Sequence, residues 1–214
     1  MSGKHALTEY ESKRLLSDYG LKTTRDAIVH TAEEALEQAD VFGYPVALKL
    51  SGQEFLHKTE LGGVKLNLES ETSLRDAVED FKQRFEEPTP LLISEHVKST
   101  RELIAGVTRN DEYGLTLAFG IGGIFAEVIG DVVFRLLPIS EAEIKSMFED
   151  LIYKEFLGPF RGEPETDLNA LSDALMAVGK CALDRDDVAS IDVNPILISG
   201  GLPIAVDALV ELYD

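Results

Sequence analysis

The sequence predicts an α+β protein built from two lobes. Segments with helical periodicity, several of them opened by a capping box, alternate with short aliphatic runs that are typical of strands. A chain of 214 residues is long enough for two small lobes. The run Pro88-Thr89-Pro90 interrupts both patterns and indicates a boundary. We therefore expect an N-terminal lobe over residues 1–90 and a C-terminal lobe over residues 91–214.

The composition favours a cytoplasmic protein without a membrane partner. The chain is 44% hydrophobic and 28% charged, as globular proteins are. No apolar run approaches the roughly 20 residues that a membrane span needs, and the first residues lack the apolar core of a secretory signal. Cys181 has no second cysteine with which to form a disulfide, which fits a reducing compartment.

The chain carries a formal net charge of −19 at pH 7. Nucleic-acid backbones are bound through surplus Lys and Arg, so nucleic acid is not an expected partner. The acidity most simply serves solubility, and adaptation to a salt-rich habitat is an open alternative.

The first lobe is predicted to alternate helices and strands. One capping box opens a helix at Thr8 that Gly20 can end, and another opens a helix at Thr31. Residues 25–50 then form a strand–helix–strand unit. Apolar residues at helical spacing predict a further helix over residues 72–85.

The second lobe is predicted to be richer in strand. Strands are expected over residues 91–97, 101–108, 115–119, 125–137, 190–199 and 202–210. A helix is expected to begin after Ser140, and another covers residues 167–183.

The stretch from Tyr44 to Leu68 carries the first candidate site. Its first strand, Pro45 to Leu50, places Lys49 opposite the aliphatic face, because strand side chains alternate. An unpaired buried ammonium is costly, so Lys49 needs a counter-anion or water. The following loop adds His57 and a glycine pair, and such groups are what a phosphoryl-handling site requires. The alternative is an ordinary hairpin with a solvated lysine and a loop histidine.

The last strands carry a candidate metal site. If Gly200-Gly201 is a two-residue turn, the residue numbers of every facing pair sum to 401. Asn194 then faces Asp207, and Asp192 lies diagonal to Asp207 on the same face. Repulsion between the two acids favours a bound cation, and an all-oxygen ligand set favours Mg²⁺. The alternative is an edge hairpin with solvated acids, and a longer turn would shift the pairing.

Other polar features leave their roles open. The run from Gly120 to Gly123 fits either an anion nest or a tight turn. Arg135, within an apolar strand, either neutralises a phosphate or forms a structural ion pair. The imidazoles of His5, His30 and His96 have no neighbouring base, metal ligand or phosphate site, so we expect them to be non-catalytic.

Five sequence blocks resemble one known family. In order, they are GYPVALKLSGQEFLHKTELGGVKL, LLISEHVKSTRELIAGV, FGIGGIFAEVIGDVVFRLLP, FRGEP and IDVNP. Together they resemble the ATP-grasp (β) subunit of ADP-forming acyl-CoA synthetases, such as acetate–CoA ligase, and more distantly the β subunit of succinyl-CoA synthetase. The resemblance covers most of the chain. It implies an ATP-grasp fold, in which two lobes enclose a nucleotide cleft.

The resemblance implies roles for the nucleotide-binding residues. Lys49 matches the lysine that holds the nucleotide phosphates, where a point charge on a flexible stem is suitable. Glu95, His96 and Val97 match the inter-lobe strand whose backbone reads the adenine edge. Glu102 is a weaker candidate for contact with the ribose or the adjoining phosphates.

The resemblance also implies metal ligands and a catalytic residue. Asp192, Asn194 and Asp207 match the magnesium ligands, in agreement with the hairpin argument. His57 matches the histidine that passes a phosphoryl group between a partner-subunit phosphohistidine and ADP. An imidazole suits this role because it is nucleophilic at neutral pH.

The reaction implied by the resemblance is carboxylate + CoA + ATP ⇌ acyl-CoA + ADP + phosphate. The chain has no recognisable CoA-binding domain. We therefore expect it to bind ATP or ADP with Mg²⁺ and to act with a separate CoA-binding α subunit as an α2β2 heterotetramer. Two alternatives stay open, namely a stand-alone ATP-grasp carboxylate–amine ligase and a non-catalytic nucleotide-sensing partner subunit.

Overall fold

The computed structural model of the protein describes residues 3–52, 61–85, 89–123 and 130–214. Within these ranges the strands are β1 (Lys4–Ala6), β2 (Asp26–Val29), β3 (Val46–Leu50), β4 (Val64–Leu68), β5 (Leu91–Glu95), β6 (Glu102–Asn110), β7 (Gly114–Ile121), β8 (Val132–Leu136), β9 (Val188–Ser199), β10 (Leu202–Ala205) and β11 (Ala208–Tyr213). The helices are α1 (Glu9–Asp18), α2 (Ala32–Phe42), α3 (Glu71–Arg84), α4 (Glu141–Asp150) and α5 (Leu168–Asp184), and a 3-10 helix covers Lys154–Leu157. The predicted catalytic residue His57 lies outside the described residues.

Local side-chain hydrogen bonds explain where the first helices begin. The Thr8 hydroxyl accepts from the Glu11 N–H at 3.3 Å, and the Glu11 carboxylate accepts from the Thr8 N–H at 2.9 Å. This reciprocal pair confirms the predicted capping box of α1. The Thr31 hydroxyl likewise accepts from the Glu34 N–H and caps α2. The Glu34 carboxylate, however, accepts from the N–H of His30, one residue before the cap, so the predicted capping box lacks its second bond.

The chain divides into two units. The small unit is Thr24–His96, and the large unit combines Met1–Thr23 with Val97–Asp214. The chain therefore passes from one unit to the other at residues 23–24 and again at residues 96–97.

This division differs from the predicted boundary at residue 90. β5 pairs with both β2 and β3, so its five residues belong to the small unit. Pro90 accepts a hydrogen bond from the Ser51 N–H at 2.9 Å just before β5 begins. Proline is tolerated at a strand start, and here it introduces a strand instead of separating two lobes. The first residues belong to the large unit because β1, a strand that the sequence analysis missed, pairs with β11.

The small unit contains a four-stranded sheet in the order β2-β5-β3-β4. β2 and β3 each pair antiparallel with β5 and therefore run parallel to each other. The predicted strand–helix–strand unit of residues 25–50 is present, but β5 is inserted between its two strands. The core of this unit joins the sheet to α2 and α3, and it includes Val29, Ala35, Val46, Leu48, Leu74, Val78, Phe81 and Ile93.

The large unit contains an antiparallel sheet in the order β1-β11-β9-β6-β7-β8, with β10 also paired to β9. One face of this sheet packs against helices, and its core includes Leu16, Leu103, Val107, Phe119, Ile144, Leu171, Leu175, Val178, Ile191, Val193 and Val210. Along α5, Leu168 and Leu183 are 40% and 41% exposed, because they lie at the two ends of the helix. Within the described ranges, no helix is long and apolar enough to cross a membrane.

A fully buried arginine holds the loop that precedes α5. Arg101 is 0% exposed and donates to the carbonyls of Gly158 and Pro164, at 3.0 and 2.6 Å. It also donates to the Thr166 hydroxyl at 3.1 Å and lies 3.4 Å from the Glu163 carboxylate. The guanidinium therefore satisfies several loop acceptors that would otherwise be desolvated without a partner.

We predict that Arg101→Ala destabilises the large unit by about 3–5 kcal/mol, because buried acceptors lose their donor. The measurement is urea unfolding followed by far-UV circular dichroism. Arg14→Ala is the matched control, since Arg14 is exposed and its guanidinium only lies over the Tyr10 ring. We expect the control to change the free energy of unfolding by less than about 1 kcal/mol. Equal effects of the two variants would contradict the role given to Arg101.

Candidate functional site

The two glycines at residues 200–201 form the predicted two-residue turn. β10 pairs with β9 from Leu202↔Ser199 to Ala205↔Ile196, so facing residue numbers sum to 401 as predicted. Gly200 and Gly201 have φ angles of +58° and +87°, as a type I′ turn requires. A Cβ on Gly201 would lie 2.7 Å from the Glu165 carbonyl oxygen, so a larger residue is excluded there.

The register continues beyond the end of β10. The predicted strand over residues 202–210 is interrupted at 206–207, but β11 resumes with Ala208↔Val193 and Leu209↔Asp192. Between the two strands, the Asn194 N–H donates to the Asp207 carbonyl at 3.3 Å. Asn194 therefore lies opposite Asp207, and Asp192 lies diagonal to Asp207, which confirms the predicted pairing.

The two faces of this hairpin differ in chemistry. Ile191, Val193 and Ala208 are buried in the core of the large unit. Asp192 and Asn194 alternate with them and are exposed on the opposite face. The alternation places two carboxylates and one amide on this same face, where Asp207 is partly buried. We call this group the acidic hairpin (Asp192, Asn194 and Asp207).

The electrostatics of the acidic hairpin favour a cation. Protein atoms around the Asp192 carboxylate partly desolvate it, and the negative charge of Asp207 adds to this effect, so the pKa of Asp192 is raised. No group of three His, Cys, Asp or Glu side chains in the described ranges is placed to hold a metal. The acidic hairpin has only two carboxylates, and its third oxygen donor would be the Asn194 amide. This all-oxygen set fits Mg²⁺.

A glycine on the neighbouring strand lets the backbone approach Asp192. Gly106 of β6 pairs with Asp192 of β9. A Cβ at residue 106 would lie 2.9 Å from the Ile191 carbonyl oxygen and 4.0 Å from the Asp192 Oδ1 atom. Gly106 is not recognisable from the sequence as a residue of this site, because one glycine within a strand gives no indication of which strand lies beside it.

Lys49 lies in the small unit, in the middle of β3. It pairs with Val64 on one side and Leu92 on the other, and it is only 6% exposed. The predicted alternation holds, because its neighbours Leu48 and Leu50 belong to the core formed with α2 and α3. Burial strengthens the electrostatic interaction of this ammonium with any anion that it contacts.

The segment Glu95-His96-Val97 spans the passage between the two units. Glu95 ends β5, and its carboxylate accepts from Arg25 through the side-chain Nε at 2.7 Å and the backbone N–H at 3.1 Å. The Glu95 N–H donates to the Arg25 carbonyl at 3.0 Å, and the His96 N–H donates to the Pro45 carbonyl at 3.2 Å. Arg25, which the sequence analysis missed, therefore holds the end of β5 in place.

Glu102 is the first residue of β6 in the large unit and pairs with Leu197 of β9. Its carbonyl accepts from the Gly122 N–H at 2.7 Å, and the N–H of Ile121 donates to the Asp131 carbonyl at 3.1 Å. These bonds continue the pairing of β7 as far as Gly122. They use the N–H groups of Ile121 and Gly122, which an anion nest here would have to present, so close strand packing explains this part of the run.

Arg135 forms the structural ion pair that was one of its two predicted roles. It bonds to Asp150 of α4, and the same guanidinium donates to the Ser146 hydroxyl at 3.2 Å.

The predicted site residues fall into two sets. Asp192, Asn194 and Asp207 come together within the large unit, which also holds Val97 and Glu102, whereas Lys49, Glu95 and His96 lie in the small unit.

The fold and the sequence together define an ATP-grasp protein. A profile of the ATP-grasp domain matches residues 1–212, and the chain therefore belongs to the ATP-grasp family. Within it, the chain is 35% identical to the β subunit of acetate–CoA ligase (ADP-forming) II from Pyrococcus furiosus, over 98% of this chain and 93% of the relative. It is thus homologous to the β subunits of ADP-forming acetate–CoA ligases.

Solved structures agree with this assignment. Dinucleotide forming acetyl-coenzyme A synthetase 1 of Ca. Korarchaeum cryptofilum, in complex with coenzyme A, Ca-AMPCP and HgCl⁺, superposes with a TM-score of 0.90 at 33% identity, covering 97% of this chain and 93% of that one. A second structure of that enzyme contains coenzyme A and Mg-AMPPCP, with a phosphohistidine segment pointing towards the nucleotide-binding site. Its TM-score is 0.85 at 35% identity, with coverage of 97% and 92%.

We predict that Asp192→Asn stabilises the protein in EDTA at neutral pH by about 0.5 kcal/mol, after allowance for solvent screening. The folded-state pKa of Asp192 lies above its unfolded value, so the ionised carboxylate costs stability at neutral pH. This cost falls as the pH drops through the raised pKa of the folded state, and it is gone only below the ordinary aspartate pKa of about 4, where the side chain is protonated in both states. The measurement is the midpoint of thermal unfolding as a function of pH.

Asp186→Asn is the matched control for this prediction, because it removes the same charge at an exposed position just before β9. A gain of stability in the control equal to that of Asp192→Asn would mean that the overall charge of −19, and not the proximity of Asp207, causes the effect.

Proposed function

We propose that the chain is the nucleotide-binding β subunit of an ADP-forming acyl-CoA synthetase, which catalyses carboxylate + CoA + ATP ⇌ acyl-CoA + ADP + phosphate. The observation that carries this proposal is the register of the acidic hairpin, which gathers Asp192, Asn194 and Asp207 on one face. The homologous P. furiosus protein is named as a β subunit, and this chain covers 93% of its length. We therefore propose a separate CoA-binding α subunit and an α2β2 assembly.

The acidic hairpin is proposed to hold Mg²⁺ through the carboxylates of Asp192 and Asp207 and the amide oxygen of Asn194. A bound Mg²⁺ would offset the repulsion between the acids and neutralise charge on the nucleotide phosphates. The related synthetase structure with Mg-AMPPCP supports this metal and this class of nucleotide. The buried residues Ile191 and Val193 fix the strand from which two of the ligands project.

Lys49 is proposed to bind the nucleotide phosphates. Its ammonium projects from the middle of a strand whose residues are all buried, so it needs little reordering on binding. A lysine suits this role because it offers a compact positive charge with three donors. In a chain of net charge −19, such a local cation is needed to attract an anionic ligand.

The segment Glu95-His96-Val97 is proposed to contact adenine through its backbone. The N–H groups of Glu95 and His96 already donate within the small unit, so the N–H available in this proposal is that of Val97. The Glu95 carboxylate is bonded to Arg25, which supports a positioning role for this side chain. Glu102 is the proposed contact with the ribose or the adjoining phosphates.

His57 is proposed to carry the phosphoryl group. One of its ring nitrogens attacks the phosphorus of the partner-subunit phosphohistidine, and the P–N bond to the partner breaks as the new P–N bond forms. A terminal phosphate oxygen of ADP then attacks the phosphorus on His57, which yields ATP and regenerates the imidazole. The reverse sequence phosphorylates the partner from ATP. A related synthetase structure contains a phosphohistidine segment that points towards the nucleotide site, which supports this route.

We predict that Lys49→Met weakens ADP binding by about 10- to 100-fold in the presence of Mg²⁺, because a charged contact to phosphate is lost. Isothermal titration calorimetry measures this change. Lys65→Met is the matched control, since Lys65 lies on the adjacent strand, is half-exposed and bonds to Asp80 at 3.0 Å. Equal affinities for the two variants would contradict the role of Lys49.

We predict that His57→Ala abolishes acid-labile phosphate on this chain while ADP affinity stays within about threefold of the wild type, since the imidazole carries phosphate but does not bind ADP. The experiment incubates the co-purified α and β subunits with γ-labelled ATP and Mg²⁺ and measures phosphate on each chain.

Full acyl-CoA synthesis by His57→Ala would contradict the phosphoryl-carrier proposal. Ligation of an amine by the isolated chain would indicate a carboxylate–amine ligase instead. Binding without any Mg²⁺ dependence would indicate a nucleotide-sensing subunit.

A further inference from the structure

A buried ion pair on α1 lies against the segment between β10 and β11 that carries Asp207. The Lys13 ammonium is 2.9 Å from the Glu9 carboxylate, one helical turn earlier, and the two side chains are only 1% and 5% exposed. The same ammonium donates to the Val206 carbonyl at 3.3 Å. Val206 immediately precedes Asp207 in the chain.

This contact occurs where the sheet gives least support to the acidic hairpin. β10 ends at Ala205 and β11 begins at Ala208, so residues 206–207 lie between the two strands. The Val206 N–H donates to the Pro195 carbonyl at 3.1 Å, and the Asp207 carbonyl accepts from Asn194. The bond from Lys13 to the Val206 carbonyl orients the peptide plane between residues 206 and 207, and therefore the direction in which the Asp207 side chain leaves the backbone.

Neighbouring residues fix α1 to the following strand. The Ser12 hydroxyl, which is fully buried, accepts from the Val210 N–H at 3.0 Å. The Leu7 N–H donates to the Val210 carbonyl at 2.9 Å. Lys13 therefore extends from a helix that is itself held at the base of β11, and the position of its ammonium is set by the fold.

A buried ion pair is not needed for stability alone. Well-packed apolar residues of similar volume are often as stabilising as a buried ion pair, or more so, because they avoid the cost of desolvating two charges. Apolar side chains, however, offer no donor to the Val206 carbonyl. The specific gain from this pair is the orientation of one backbone carbonyl beside a ligand residue.

We propose that the Glu9–Lys13 pair positions Asp207 for Mg²⁺ binding. This inference rests on the proposed metal site. Lys13 acts through the backbone of residue 206 and is a positioning residue. The Glu9 charge balances that of Lys13, so the pair as a whole adds no net charge beside the metal.

The test is the double variant Glu9→Leu/Lys13→Met, which removes both charges of the pair together. We expect its thermal midpoint to remain within a few degrees of the wild type, because an apolar pair replaces the ion pair. We expect the Kd for Mg²⁺, measured by calorimetry without nucleotide, to rise about tenfold, as is usual when a group that orients a metal ligand is lost. Hydrogen exchange at residues 206–208 should be faster in the metal-free variant.

Glu141→Leu/Lys145→Met is the matched control. This pair has the same spacing on α4, with 2.7 Å between its charged atoms, but its side chains are half-exposed or more. We expect the control to leave the Kd for Mg²⁺ unchanged. If Glu9→Leu/Lys13→Met fails to fold, Glu9→Gln/Lys13→Met tests the same contact, because glutamine keeps the shape of residue 9.

The outcomes separate this inference from the function on which it rests. If Asp207→Asn weakens Mg²⁺ binding and the Glu9/Lys13 double variant does not, the positioning inference is overturned and the metal site stands. If Asp207→Asn leaves Mg²⁺ binding unchanged, the metal site and the inference are both overturned. A double variant that loses stability but keeps the wild-type Kd would show a structural role only, and that result would also overturn the inference.

Discussion

A two-residue turn determines the chemistry of the C-terminal hairpin. Because Gly200 and Gly201 both adopt positive φ angles, the strands on either side keep one register over ten residues of β9, from Ser199 back to Ser190. A shift of one residue would move Asp192 and Asn194 to the helix-packed face and expose Ile191 and Val193. The free energy of burying that apolar face therefore also specifies where the two carboxylates meet.

The two units contribute different parts of the proposed nucleotide chemistry. The small unit supplies a buried cation, Lys49, and the end of β5. The large unit supplies the acidic hairpin, and α1, which is far away in sequence, contacts this hairpin through Lys13. In the proposed function, phosphate binding, metal binding and phosphoryl transfer are divided among different side chains.

The sequence predicted local features well, because short-range rules determine them. The capping box at Thr8, the glycine turn at residue 200 and the pairing of Asn194 with Asp207 all follow from chemistry within a few residues. Long-range pairing was not predictable in the same way. Nothing within β5 shows that it lies between β2 and β3, so the division at residue 90 was wrong about which unit holds this strand. Gly106, Arg25 and Lys13 were missed because their partners are distant in sequence.

The most direct test of the metal site is paramagnetic broadening by Mn²⁺ of the backbone amide signals of the isotopically labelled protein. Mn²⁺ takes the same oxygen ligands as Mg²⁺, and a net charge of −19 offers many weak alternative sites on the surface. At substoichiometric Mn²⁺, our account predicts that signals of residues 191–194 and 206–208 disappear first. Uniform broadening across exposed acidic residues, with no preference for these two segments, would contradict it.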